Sequence, residues 1–195
     1  GGLGLPDRDY YLEDRFKTQK AAYEAYVAKL LGMVGWDKPA DYAKAIVAME
    51  TEIAKVSWTR AERRDDDKTY NPFEVDKLAA YAPGFAWRKF LDSAHLAKAD
   101  RVIVAENTAF PKIAAIYAKT PLDVLQAWSA FQLADQAAPY LSQDFDAAHF
   151  EFHGKALSGT PAQQPRWKRA VATIDNNIGE ALGKLRRVGP GGSRD

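Results

Sequence analysis

The 195-residue chain carries 27 Lys and Arg against 26 Asp and Glu, a formal net charge of +1. That balance argues against a dedicated nucleic-acid binder, which needs a basic excess, and the 47% hydrophobic content excludes wholesale disorder. The absence of cysteine excludes a disulfide scaffold, a Cys-ligated zinc site and thiol catalysis. No run of 18 apolar residues is present to span a membrane, and the residues after Gly1 are not expected to act as a signal peptide.

In chain order, the turn Leu5-Pro6-Asp7 precedes a helical stripe of Phe16, Tyr23, Val27, Leu30 and Val34, with Gly32 and Gly35 as stop signals. A second helix opens at Asp37-Lys38-Pro39 and carries the stripe Ile46, Met49, Ile53 and Val56; Glu50, Glu52 and Lys55 are expected to face water. The mixed-charge run 60–68 reads as a solvated loop. A short helix is predicted from Pro72 to about Ala80 and another from Phe85 to about Ala94. Arg101–Ala105, short and β-branched, reads as an isolated extended segment. Helix returns over about Asn107–Lys119. Thr120 is then expected to cap, and Pro121 to open, a long helix towards Leu157 that bends near Pro139. After Gly159-Thr160-Pro161, a last helix runs from about Pro165 to Leu185 on the stripe Trp167, Val171, Ile174, Ile178, Leu182 and Leu185. Arg186–Asp195, rich in Gly, Pro and charge, reads as a frayed tail, and both ends look cut from something longer. The expected fold class is all-α: a multi-helix domain with long amphipathic helices and at most one short isolated extended segment.

His149-Phe150-Glu151-Phe152-His153 is the most metal-like motif. Two His at i and i+4 share a helix face and can chelate an ion. In H-E-x-x-H, however, Glu directly follows the first His; here Glu151 comes one position later and points to the opposite side. With no third ligand evident nearby, the pair is expected to be structural, partly buried among aromatics. Asp65, Asp66 and Asp67 lack the spacing of a calcium loop. In Arg166-Trp167-Lys168-Arg169, Trp167 reads as core and its neighbours as solvent-facing. Gly154 and Gly159 around Lys155 do not make a phosphate loop, and Ser158 has no assignable base. From the residues alone, no catalytic, cofactor-binding or metal residue is assigned, and the chain reads as a helical module that covers, binds or scaffolds.

Four motifs in order nevertheless resemble one family. Gly2–Tyr11 resembles the G-L-P-x-R-D-Y-Y element of the neprilysin and endothelin-converting-enzyme family of zinc metallopeptidases. Lys77-Leu78 with Phe85 and Trp87 resembles its next landmarks. Leu157-Ser158-Gly159-Thr160-Pro161 with Trp167-Lys168-Arg169 resembles its L-x-G-T-x(n)-W-[RK]-R stretch, and Gly179–Leu185 its G-x-A-[LV]-G-x-L helix. After Leu185 the chain departs from the family, with Arg186 and Arg187 leading into a Gly-Pro tail.

The resemblance implies that residues 1–185 are the helical N-terminal region that roofs the catalytic domain of such a peptidase and restricts entry to oligopeptides, followed by the tail 186–195. It implies zinc in the parent, bound by downstream H-E-x-x-H and E-x-x-x-D motifs; His149 and His153 do not match these ligands, and no cofactor is expected in this chain. Its implied partners are the catalytic domain and oligopeptide substrates, and its implied location is extracytoplasmic. A stand-alone helical module binding protein or peptide is the alternative; an independent metalloprotein using His149 and His153 is a third, weaker reading.

Overall fold

The computed structural model describes residues 2–187, and for Ala181, Leu182 and Lys184–Arg187 the backbone alone. Its helices are α1 (Asp9–Leu12), α2 (Lys17–Met33), α3 (Pro39–Val56), α4 (Asp66–Thr69), α5 (Leu78–Tyr81), α6 (Trp87–Ser93), α7 (Phe110–Lys119), α8 (Leu122–Ala137), α9 (Gln143–His149) and α10 (Arg166–Arg187). Two three-residue strands, β1 (Pro72–Glu74) and β2 (Arg101–Ile103), form one antiparallel ribbon. The all-α expectation therefore holds, and the extended run at 101 has a partner. A residue such as Pro72 at the first position of a strand has no ladder N–H to lose. Phe73 stands opposite Val102 and Glu74 opposite Arg101. The predicted helix from Pro72 thus gives way to strand, a 3-10 turn at Val75–Lys77 and the single turn of α5.

The antiparallel pair α2 and α3 is the centre of the larger core. Tyr23, Val27 and Leu30 of α2 and Ile46 and Ile53 of α3 are buried on the faces their spacing predicts. Val34 lies past the end of α2 and is exposed. The end of α2 is closed by a Schellman arrangement: Gly35 N–H donates to Gly32 O, Trp36 N–H donates to Leu31 O, and Gly35 sits at φ 79°. Glycine takes that left-handed geometry without strain from a side chain. Phe131 of α8 and Phe152 complete this core. A second, smaller core gathers the ribbon, α5, α6 and α7 around Leu78, Trp87 and Leu91.

The long helix expected over 121–157 is four pieces. Proline lacks an N–H and its ring clashes with the carbonyl four residues back; the break comes at the 3-10 turn Ala138–Tyr140, which contains Pro139. α9 comes next, and beyond it Phe150–Leu157 winds as a π-helix. Thr120 caps nothing ahead of it: its hydroxyl donates back to Ile116 O in α7, and α8 starts after Pro121. α10 is interrupted at Ile178 (φ −132°) and runs through Arg187. Residues 188–195 of the expected tail, and the Leu182 and Leu185 side chains of the expected stripe, lie outside the described residues.

Candidate functional site

Two constellations of polar side chains stand out, one at the N-terminal motif and one where α8, α9 and the π-helix meet. In the first, Gly4 N–H and Leu5 N–H donate to the Tyr11 hydroxyl at 3.1 and 2.9 Å. That hydroxyl in turn donates to Glu50 Oε2 at 2.7 Å. Tyr23 Oη and Trp128 Nε1 donate to Glu50 Oε1 at 3.2 and 2.8 Å. Glu50 is fully buried, which corrects its expected place in water. Burial pushes its carboxyl above the usual range against the pull of these donors. The signal was available in the spacing, since 46–50–53 fits a helix face as well as 46–49–53 does.

Two positions from the Pro6 turn, Arg8 reaches from the same motif to Ser57 O at 2.7 Å. The buried Asp7 meets Arg63 at 2.7 Å and Arg60 at 3.2 Å. Burial pushes the Asp7 carboxyl up, but the Asp9 N–H and the two guanidinium groups outweigh it and hold it below the usual range. The charged run 60–68 is therefore not only a solvated loop; two of its arginines clamp the start of the chain. Among the described residues, Asp65, Asp66 and Asp67 do not come together as a group of possible metal ligands. Asp65 caps α4 by accepting from Lys68 N–H, with Lys68 Nζ 3.7 Å away.

In the second constellation His149 ends α9 and His153 lies one turn on, with ring centroids 4.3 Å apart. His153 Nε2 is 2.9 Å from Asp135 Oδ1 on α8, and Tyr26 Oη donates to the same oxygen at 2.5 Å. The acids nearest the two histidines along the sequence are engaged elsewhere, Asp146 by Arg169 and Glu151 by Lys155, so a third group has to come from another element. Asp135, in the last turn of α8 before the Pro139 break, supplies one. Burial pushes the Asp135 carboxyl up, but the His153 and Tyr26 hydrogen bonds outweigh it and hold it low. Burial, and then the neighbouring His153, lower the pKa of His149 and favour its neutral imidazole. Glu151 is exposed and paired with Lys155 at 2.6 Å. It is turned away from the histidines, so the cluster lacks the adjacent base of a hydrolytic zinc site.

The other candidates resolve simply. Ser158 Oγ donates to His153 O, with no base beside it. Thr160 N–H donates to Gly154 O, which closes the π-helix. Trp167 is 66% exposed, not core, and Val171, Ile174 and Ile178 on its stripe are exposed too. α10 is tied back by a bidentate pair from Arg169 to Asp146, at 2.6 and 2.7 Å.

The sequence model described as peptidase family M13, for its N-terminal region, matches residues 1–186. The chain belongs to peptidase family M13. An endothelin-converting enzyme homolog of Locusta migratoria is 30% identical over 95% of this chain. Human endothelin-converting enzyme 1 is 28% identical over 94% of it. The cryo-EM structure of Mycobacterium tuberculosis zinc metalloprotease Zmp1 in its open state superposes on 98% of the chain with a TM-score of 0.91 at 29% identity. The chain spans 27% and 25% of those two enzymes and 30% of the Zmp1 chain. It is thus similar to an N-terminal part of M13 metallopeptidases. Glu151, between the two histidines, is paired with Lys155.

Proposed function

We propose that this chain is the N-terminal helical part of a zinc-dependent metalloendopeptidase of oligopeptides, spanning residues 1–185, and that it roofs the cleft of a catalytic domain and limits what can enter. The observation that carries this reading is α10. It is a 22-residue amphipathic helix whose stripe Trp167, Val171, Ile174 and Ile178 faces solvent, in a chain spanning 25–30% of its relatives. Burying a large apolar side chain is worth about 1.5–3 kcal/mol, so an unpartnered stripe of this length supports a docking partner, and the catalytic domain is the partner the family supplies. Zinc would polarise the peptide carbonyl and activate water in that other domain; this chain's own contribution is shape. The resemblance likewise supports an extracytoplasmic location for the whole enzyme.

The test is to extend the open reading frame downstream, look for H-E-x-x-H, and produce the chain both alone and fused to the downstream segment. Quenched oligopeptides with zinc should be cleaved by the fused protein and not by the 195-residue chain. Zinc-dependent cleavage by the chain alone would overturn the reading. A frame without H-E-x-x-H, with peptide capture by the chain, would favour a stand-alone binding module instead.

A further inference from the structure

We propose that Asp135, His149 and His153 form a binding site for a divalent transition-metal ion of the zinc class, held by two imidazoles and one carboxylate. One ligand atom from each residue lies within 4.8 Å of the other two. Metal–ligand bonds of about 2.0–2.2 Å place neighbouring ligand atoms roughly 3–3.5 Å apart. Ligation therefore needs these atoms to close by up to roughly 1–2 Å, a movement on the scale of side-chain rotation. His149 and His153 sit at the junction of α9 with the π-helix, the kind of irregular turn that recurs at functional sites.

The donor set selects the ion. Two imidazole nitrogens and one carboxylate oxygen suit zinc, nickel or copper, whereas calcium and magnesium require an all-oxygen shell. Among the described residues, the His149 ring and Asp135 Oδ2 take part in no hydrogen bond, so both are free to bind without losing one. Asp135 Oδ1 already accepts from Tyr26 Oη, and such an outer hydrogen bond orients a ligating carboxylate. The one bond that must change is the 2.9 Å contact between His153 Nε2 and Asp135. The ion would replace that contact, held by His153 Nε2 and Asp135 Oδ2, and His153 would carry its proton on Nδ1. Positive charge does not oppose entry: the nearby Arg169 guanidinium is neutralised by both oxygens of Asp146. His149 and His153 line an open cavity of about 420 Å³ that also reaches Gln163 and Thr173, so solvent supplies the remaining coordination positions. With Glu151 facing away, no base stands beside an ion-bound water. The ion's effect is mechanical: it fastens α9 and the π-helix to α8 at the base of α10.

The test is calorimetric titration of ZnCl2 into the 195-residue chain, stripped with EDTA and dialysed at neutral pH. One equivalent of zinc should bind, and the thermal midpoint should rise with zinc. His149→Gln, which sacrifices no hydrogen bond, should weaken binding at least tenfold and abolish the zinc-dependent rise. His95→Gln should match the parent chain. No saturable heat up to several hundred micromolar zinc, or undiminished binding in the His149→Gln/His153→Gln variant, would overturn the proposal.

Discussion

Glu50 is fully buried beside the larger core, and its chemistry is the sharpest at the residue scale. Three donors converge on it, from Tyr11, Tyr23 and Trp128. Removing the acceptor strands the buried Tyr11 and Tyr23 hydroxyls and the half-buried Trp128 N–H, at about 1–3 kcal/mol apiece in an interior site. Glu50→Ala is therefore expected to cost at least about 3 kcal/mol in urea unfolding, the cavity included. Its pH signature has a definite sign. A carboxyl whose pKa is raised on folding stabilises the protein below its unfolded pKa, and that contribution is lost as pH rises through the folded value. Urea midpoints of the parent chain should fall as pH climbs above the ordinary glutamate range, and Glu50→Gln, which cannot ionise, should remove that slope. A parent profile that rises there would contradict the burial effect.

Gly4 belongs to the same network. A Cβ there would lie 1.9 Å from Tyr23 Oη, and that hydroxyl cannot retreat from a ring 1% exposed and bonded to Glu50. Gly4→Ala should destabilise by about 1–3 kcal/mol, with loss of the Tyr23 near-UV circular dichroism signal; a neutral substitution would mean the N-terminal segment is not seated on Tyr23.

Among elements, α10 differs from the rest. α2 and α3 bury their stripes against each other and against α8, whereas the stripe of α10 finds no cover among the described residues. The interruption at Ile178 leaves that side chain 51% exposed. A contiguous exposed apolar face invites association, so the isolated chain should self-associate in sedimentation as its concentration rises. Ile178→Glu should reduce this while leaving the unfolding midpoint unchanged within about 0.5 kcal/mol, as surface substitutions generally do. A monomeric parent chain that Ile178→Glu unfolds would mean the stripe is internal core.

For the whole molecule, two cores share one chain. Ser158 has no base, Lys155 is engaged by Glu151, and the His pair has its Glu facing outward. We propose that the isolated chain is catalytically silent, and the quenched-peptide assay with added zinc measures it. If His149 and His153 bind zinc as proposed, the ion should stabilise the fold without producing turnover, so the calorimetric and peptidase readouts separate.

What the sequence determined by itself was local and periodic. The helix positions of α2, α3 and α10 come from apolar residues three and four apart, because 3.6 residues per turn is a property of the backbone and not of the neighbours. The family, too, was legible, in short motifs whose order survives without any knowledge of contacts. What only the tertiary structure decided was which face each charged or aromatic residue meets. The stripe Ile46, Met49, Ile53 and Val56 leaves Glu50 outside it and facing water; only the convergence of Tyr11, Tyr23 and Trp128 reverses that. Trp167 has the opposite history, an aromatic on a clean stripe that stays exposed because no described element packs on it. The strand at Arg101 needed Pro72–Glu74, some 30 residues away, before its backbone groups had partners. Asp135 is fourteen residues from His149, and nothing local relates them. The Pro139 break brings them together, because a helix that cannot continue must turn, and the direction of the turn is set by the core it folds back upon.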